Sequence, residues 1–292
     1  RPAAGVPCLS HAALRPRVSR KCLEVEAYYQ SGEGKAAVQV EVADAEGKVV
    51  KSETGPAQEV AGASALLTVP WRDAHCWTPL DPYLHAATVR IAAADGQVLD
   101  ELYPERFGFR ELTIRGGDFY LNGMRTHLKG QAAPPFGQVA FCASEEYIRE
   151  WYRQLKEVGC FAVREYSGRW AAGYQCVWRE KYYDIADEMG IIIFSHVPAA
   201  EGLWTSLEDA RIKEGLRRRI ADYVARYGNH ACCAMWFQHF NTGAYTGDIR
   251  PDWMDGSHPP DKHPEMRFDL PARHAAMRWC EQQLREIDRD CR

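Results

Sequence analysis

An apolar run, Ala231-Cys-Cys-Ala-Met-Trp236, opens into a polar loop whose side chains can move protons. His239, Tyr245 and Asp248 stand in that loop, with Asp252 and Asp255 close behind. Imidazole and carboxyl groups exchange protons near neutrality, so His239 and Asp248 are candidates for general acid or base work. Asp is also a frequent turn former, and Asp248 before Ile249-Arg250-Pro251 reads equally as a turn cap. Thr242 lies in the same loop. Its hydroxyl titrates far above neutral pH and cannot protonate a departing alkoxide. Two further polar residues end apolar runs: Arg164 after Phe161-Ala-Val163, and His196 after Ile191-Ile-Ile-Phe-Ser195. A cation at the rim of a buried strand is costly unless paired. Arg164 therefore predicts a carboxylate neighbour, either Glu165 or an acid of an adjoining strand. His196 suits a ligand hydroxyl or a purely structural hydrogen bond.

Two unlike stretches of chain must position these groups. Up to about residue 110 the pattern has period two. Cys22–Tyr29 and Ala37–Val42 alternate apolar and polar residues, and Lys48–Ser52, Ala65–Val69, His85–Ala93 and Val98–Tyr103 read as further strands. Turns are expected at Ala45-Glu46-Gly47 and Asp95-Gly96. Short strands at this spacing, with no helical stretch between them, predict an antiparallel sandwich. A small hairpin on Asn122-Gly123 follows, and Thr126 to Gly130 reads as the start of a strand. The rhythm then changes. Ser144 caps a helix with Ile148, Trp151, Tyr152, Leu155 and Val158 at spacings of three and four, closed by Gly159. Cys160–Val163, Ile191–Phe194 and Ala231–Trp236 are buried strands, separated by helices carrying Tyr182, Ile185, Ala186 and Met189, and then Ile212, Leu216, Ile220 and Val224. A last helix runs from about Pro271. Alternating strands and helices predict a parallel sheet wrapped by helices. Four such units are about half of the ~250 residues of a closed barrel.

Composition removes several classes of function. Binding phosphates needs a clustered cationic face; a net charge of −4 argues against one, and Arg217–Arg219 reads as a solvated helix face, so nucleic acid is not expected as a partner. No stretch approaches the ~18 apolar residues of a membrane span. No glycine-rich phosphate loop follows a strand. The 10 cysteines form no CxxC pair and no zinc-type cluster, so neither metal nor cofactor is expected. Several sit in apolar runs, which slightly favours a reducing, cytoplasmic setting. The opening Arg1-Pro2-Ala3-Ala4 has no initiator Met or apolar leader segment, and the chain reads as an excised piece. Compartment and oligomeric state stay open on sequence alone.

Three groups of motifs carry a resemblance. Trp77-Thr-Pro-Leu-Asp-Pro-Tyr-Leu84, Glu105-Arg-Phe-Gly-Phe-Arg110 and Phe119-Tyr-Leu-Asn-Gly123 are similar to the sandwich-to-barrel junction of family 2 glycoside hydrolases. That family holds β-galactosidases, β-glucuronidases and β-mannosidases. Phe161-Ala-Val-Arg164 with Tyr183–Ile193 resembles its first signature. Asn229-His230, Ala234-Met-Trp236 and Asn241 resemble its second. The resemblance runs from about Val18 to Arg292. It implies an immunoglobulin-like β-sandwich over residues 1–111, followed by the N-terminal half of a (β/α)8 TIM barrel over 112–292.

The resemblance also implies hydrolysis of β-linked glycosides with retention, by two carboxyl groups ~5–5.5 Å apart. The family's acid/base is the Glu directly after the Asn that ends strand four; here that place holds Thr242. The nucleophile ends strand seven, beyond this chain. Asp248 or His239 is the candidate replacement acid/base in the parent, and the isolated piece is expected to be inactive. The alternative is a carbohydrate-binding relative without catalysis. By the same resemblance Asn241 contacts a sugar hydroxyl and Arg164 holds the catalytic carboxylates. His196, Trp170, Trp204 and Trp253 are candidate sugar contacts, while Trp236 is expected in the barrel core or floor.

Overall fold

The protein was analysed as a computed structural model that describes residues 5–60, 64–132, 144–164, 179–197, 207, 209–237 and 270–288. The first hundred residues form two facing antiparallel sheets. One joins β1 (Cys8–Arg17), β2 (Cys22–Ser31) and β6 (Ser64–Pro70). The other runs β4 (Val49–Thr54), β3 (Lys35–Ala43), β7 (His85–Ala92) and β8 (Val98–Glu101). The short β5 (Gln58–Glu59) and β9 (Glu105–Phe107) pair with β3 and β7. The expected period-two patterns are the buried faces. Val38, Val40 and Val42 of β3 meet Leu23 and Val25 of β2 in a core closed by Trp71, Phe107 and Phe109. Sequence reading did not single out β1 as a strand. Its inward Leu9, Ala12 and Leu14 fall out of strict alternation, because the register against β2 shifts at both Cys8/Leu9 and Leu9/His11.

A three-stranded meander follows: β10 (Leu112–Arg115), β11 (Asp118–Leu121) and β12 (Met124–Thr126). Asn122 and Gly123 both take positive φ, 50° and 82°, as a two-residue I′ hairpin requires. The strand expected to begin at Thr126 begins instead at Gly130.

The remainder alternates strand and helix as expected. β13 (Gly130–Ala132), β14 (Ala162–Arg164), β15 (Ile192–His196) and β16 (Cys233–Phe237) form one parallel sheet in sequence order. Helices α1 (Glu145–Glu157), α2 (Arg179–Met189) and α3 (Ala210–Tyr227) connect these strands, and α4 (Leu270–Ile287) follows the last. Ser144 caps α1 through its side chain, which accepts from the Tyr147 N–H. The apolar stripe of α1 is buried through Leu155, but Val158 is 73% exposed because the helix has already ended there. Ile212, in the first turn of α3, is likewise exposed. The helices cover one face of the sheet with Tyr152, Tyr183, Ile185, Ile220 and Tyr227.

One buried group of the sandwich is poorly matched to its surroundings. His85 is 3% exposed, ringed by Trp71, Tyr83 and Phe107, and its Nδ1 has no hydrogen-bond partner among the described residues. Burial, with help from nearby His75, pushes its pKa down to about 4. The folded state therefore favours neutral His85. That contribution is full above the ordinary histidine value and is lost as pH falls toward 4. Between roughly pH 6.5 and 4 the wild-type chain should lose about 2–3 kcal/mol through this residue. His85→Phe should remove that part of the acid sensitivity, as read from urea midpoints across the same range.

Candidate functional site

The parallel strands bring two of the sequence-predicted residues to their C-terminal ends. Side chains alternate across a strand. On β15, Ile193 joins the layer under the helices, whereas Ile192 and partly buried Phe194 pack on the other face with Leu112, Leu128 and Ala162. His196 continues that second face, and Arg164 follows Ala162 on it. Both meet Phe237 at the end of β16. The His196 ring stacks on Phe237 at 4.6 Å and 12°, and the Arg164 guanidinium lies over the same ring at 5.0 Å. His196 is 1% exposed and Arg164 half-buried. A cation, an imidazole and an aromatic face thus converge at one strand-end position, a combination that can grip a polar ligand carrying an apolar side. The pairing of Arg164 with Phe237 adds an aromatic partner that sequence reading missed; Phe237 lay one residue past the expected strand end.

Behind this corner, on the helix side, runs a buried chain of polar groups. The Tyr183 hydroxyl donates to Ser195 Oγ at 2.9 Å and lies 3.2 Å from the Tyr223 hydroxyl. Ser195 Oγ in turn sits 3.1 Å from Cys233 Sγ. Trp236 also faces this layer rather than the barrel core or floor. It packs edge-on to Tyr223, and its indole N–H donates to Asp288. A register shift between Ile193 and Phe194 re-phases β16 and pairs Trp236 with Ser195 on the helix side.

At the opposite ends of the strands the sandwich is sealed to the sheet. Asp187 of α2 is 1% exposed; its carboxylate accepts from His230 Nδ1 at 2.7 Å and from the Cys232 backbone N–H at 2.7 Å. Its backbone carbonyl accepts from the indole N–H of fully buried Trp77 at 2.8 Å. Next to His230, the Asn229 side chain accepts from Leu14 N and donates to Ala12 O of β1. Arg110, also buried, donates to the Cys233 carbonyl at 2.9 Å. Gly108 lets the surfaces touch, because a Cβ there would lie 2.6 Å from both Trp77 and Ala231 side chains. Burial opposes a charged His230, but the Asp187 carboxylate together with the charges of Asp184 and Glu105 outweighs it, so the imidazole titrates above its ordinary range. Asp187, His230 and Cys232 place possible ligand atoms within 4.8 Å of one another. Both Asp187 oxygens are already engaged, by the His230 ring and the Cys232 N–H, and burial raises the pKa of the Cys232 thiol.

Residues 12–110 match the family model for Glycosyl hydrolases family 2. This stretch belongs to family 2. Curated relatives of the chain include a β-galactosidase of Thermoanaerobacter pseudethanolicus, 26% identical over 189 residues, which are 64% of this chain and 24% of that protein. A β-glucuronidase of Paenibacillus borealis is 25% identical over 209 residues, covering 68% of this chain and 32% of that one. The chain thus spans about a quarter to a third of such relatives. Among solved structures, the β-glucuronidase of Bacteroides uniformis aligns with 97% of the chain and 34% of its own at a TM-score of 0.65 and 15% identity. That of Parabacteroides merdae aligns with 97% and 32% at 0.61 and 22%. These structures share the fold.

The motif residues divide by location. Among the described residues, Trp77, Gly108, Arg110, Asp187, Asn229 and His230 build the seam, and Arg164 reaches the strand-end corner, where it joins His196. His239, Asn241, Thr242, Asp248, Trp170, Trp204 and Trp253 lie outside the described residues. The seam's sequence signal was the quoted motifs themselves, which gave no hint that their polar residues act on one another. Tyr183→Phe should test the layer behind the corner. Losing the hydroxyl that serves Ser195 should cost ~1–3 kcal/mol in urea unfolding; a change within about 0.3 kcal/mol would mean that the chain of hydroxyls carries no net stability.

Proposed function

We propose that this chain is part of a β-glycosidase. In this reading residues 1–111 are an immunoglobulin-like sandwich and 112–292 are the first half of a (β/α)8 barrel. The observation that carries the reading is the convergence of Arg164, His196 and Phe237 at the C-terminal ends of parallel strands, the end where barrel enzymes keep their chemistry. The substrate is a β-linked galactoside or glucuronide, the classes named for the relatives. Arg164 orients carboxylates supplied by the parent, Asn241 and His196 hold sugar hydroxyls, and Trp170, Trp204 and Trp253 offer stacking faces. Thr242 stands where family members carry their acid, so proton transfer falls to Asp248 or His239.

Thr242 also favours a second reading, a carbohydrate-binding relative that turns nothing over. The two separate on activated aryl β-galactosides and β-glucuronides, whose leaving groups need little acid assistance. A β-glycosidase parent should turn these over while the isolated 292-residue chain does not. In the parent, Arg164→Met should lower kcat/KM by ~100-fold or more with thermal stability retained, and at least one of Asp248→Asn and His239→Ala should depress activity on poor leaving groups. Saturable sugar binding without turnover of either aryl glycoside would establish the binding relative instead.

A further inference from the structure

The seam carries a titratable pair in an unusual position. His230 Nδ1 and Asp187 Oδ2 are 2.7 Å apart with Asp187 out of solvent, and the other oxygen of the same carboxylate holds the Cys232 N–H at the entry to β16. Asn229, next in sequence to His230, is bonded at both ends to β1 of the sandwich. One short stretch, 229–232, therefore ties α2, the sandwich and the first residues of the site strand together. We propose that Asp187 and His230 form a proton-operated latch at this seam, closed while His230 is protonated and loosened when it is not.

The surroundings fix the direction of the effect. From α2, Asp187 and the edge of the Tyr183 ring face His230 and the charge of Asp184 acts on it; from α3 comes Tyr227; from β9 comes the charge of Glu105. Asp184 also pairs with Arg106, and Arg106 with Glu188, while Arg110 is committed to the Cys233 carbonyl. Three carboxylates thus favour the imidazolium against the cost of burying it. Removing the proton leaves Asp187 as a buried anion facing a neutral ring, the arrangement in which breaking a buried pair is most costly. Because the folded state binds this proton more tightly than the unfolded state, latch stability is complete below the ordinary histidine value. It declines as pH rises through the higher folded value. Glu105, held up by burial, has the same sign, so its contribution is told apart from that of His230 by substitution.

Native-state hydrogen exchange on the 292-residue chain tests the latch directly. Protection of the Leu14 and Cys232 amides, corrected for intrinsic exchange, is followed from about pH 6 to about pH 9. Both amides should lose protection together, by roughly tenfold, while Val40 in the sandwich core stays unchanged. In His230→Gln the two amides should be weakly protected and the pH dependence should vanish. Glu105→Gln should leave the alkaline step intact. Wild-type protection that is flat across this range, or a step that survives in His230→Gln, overturns the proposal. Should that variant fail to fold, the ring-proton NMR titration of His230 in the wild type decides. A midpoint above the ordinary histidine value supports the latch, and one at or below it refutes it.

Discussion

The Asp187 carboxylate is the interaction on which the rest of the structure hangs. A buried anion is tolerated only when charge and hydrogen bonds replace the water it has lost. Here His230 and the Cys232 N–H supply them, while Trp77 of the sandwich end binds the carbonyl of the same residue. Helix α2, the turn into β16 and the sandwich cannot shift independently without uncovering that charge. Gly108 and Gly190 set how closely the pieces approach: a Cβ at Gly190 would strike the Pro79 carbonyl at 2.4 Å, and its φ of 72° already excludes most side chains.

The ion pairs around this centre have a different weight. Arg106 with Asp184 and Glu188, and Arg149 with Glu188, join the sandwich to α1 and α2 at partly exposed positions. Pairs of that kind contribute little singly, and their value lies in fixing orientation as a network. The apolar layers do the heavier part, with Trp77, Ala162, Ile192, Ala231 and Ala234 forming a contiguous cluster across the seam. Small alanines at three of those five places bring backbones close enough for Arg110 to reach the Cys233 carbonyl.

The candidate site inherits its geometry from this seam. β16 is anchored at Cys232 and Cys233 and ends at Phe237, five residues later, so an anchor at its start sets where the Phe237 ring stands. Arg164 and His196 then converge on that ring from two neighbouring strands. The helix-side chain from Tyr223 through Tyr183 and Ser195 to Cys233 braces the same strands from behind. Rigid support beneath a strand-end corner is what a binding site needs if a ligand is not to pay for ordering it.

Local pattern was enough for much of this. The period-two runs, the Asn122-Gly123 turn, the Ser144 cap and the strand–helix alternation each rest on short-range stereochemistry, and each appears near its expected place. The sequence by itself also carried the resemblance to family 2, because the motifs occur in order along one chain, and the family model matches residues 12–110. What it could not supply was which motif residues meet. Asp187 and His230 are 43 positions apart, and Asn229 and Leu14 are 215. Nothing periodic links such distant residues. Nor could pattern reveal that a register shift on β16 would turn Trp236 outward, since one added residue flips every later side chain to the other face. Order and element type were therefore decided locally. The seam, the face each side chain presents and the Arg164–His196–Phe237 corner were decided only by tertiary structure, because burial and long-range pairing exist only once the layers have closed on one another.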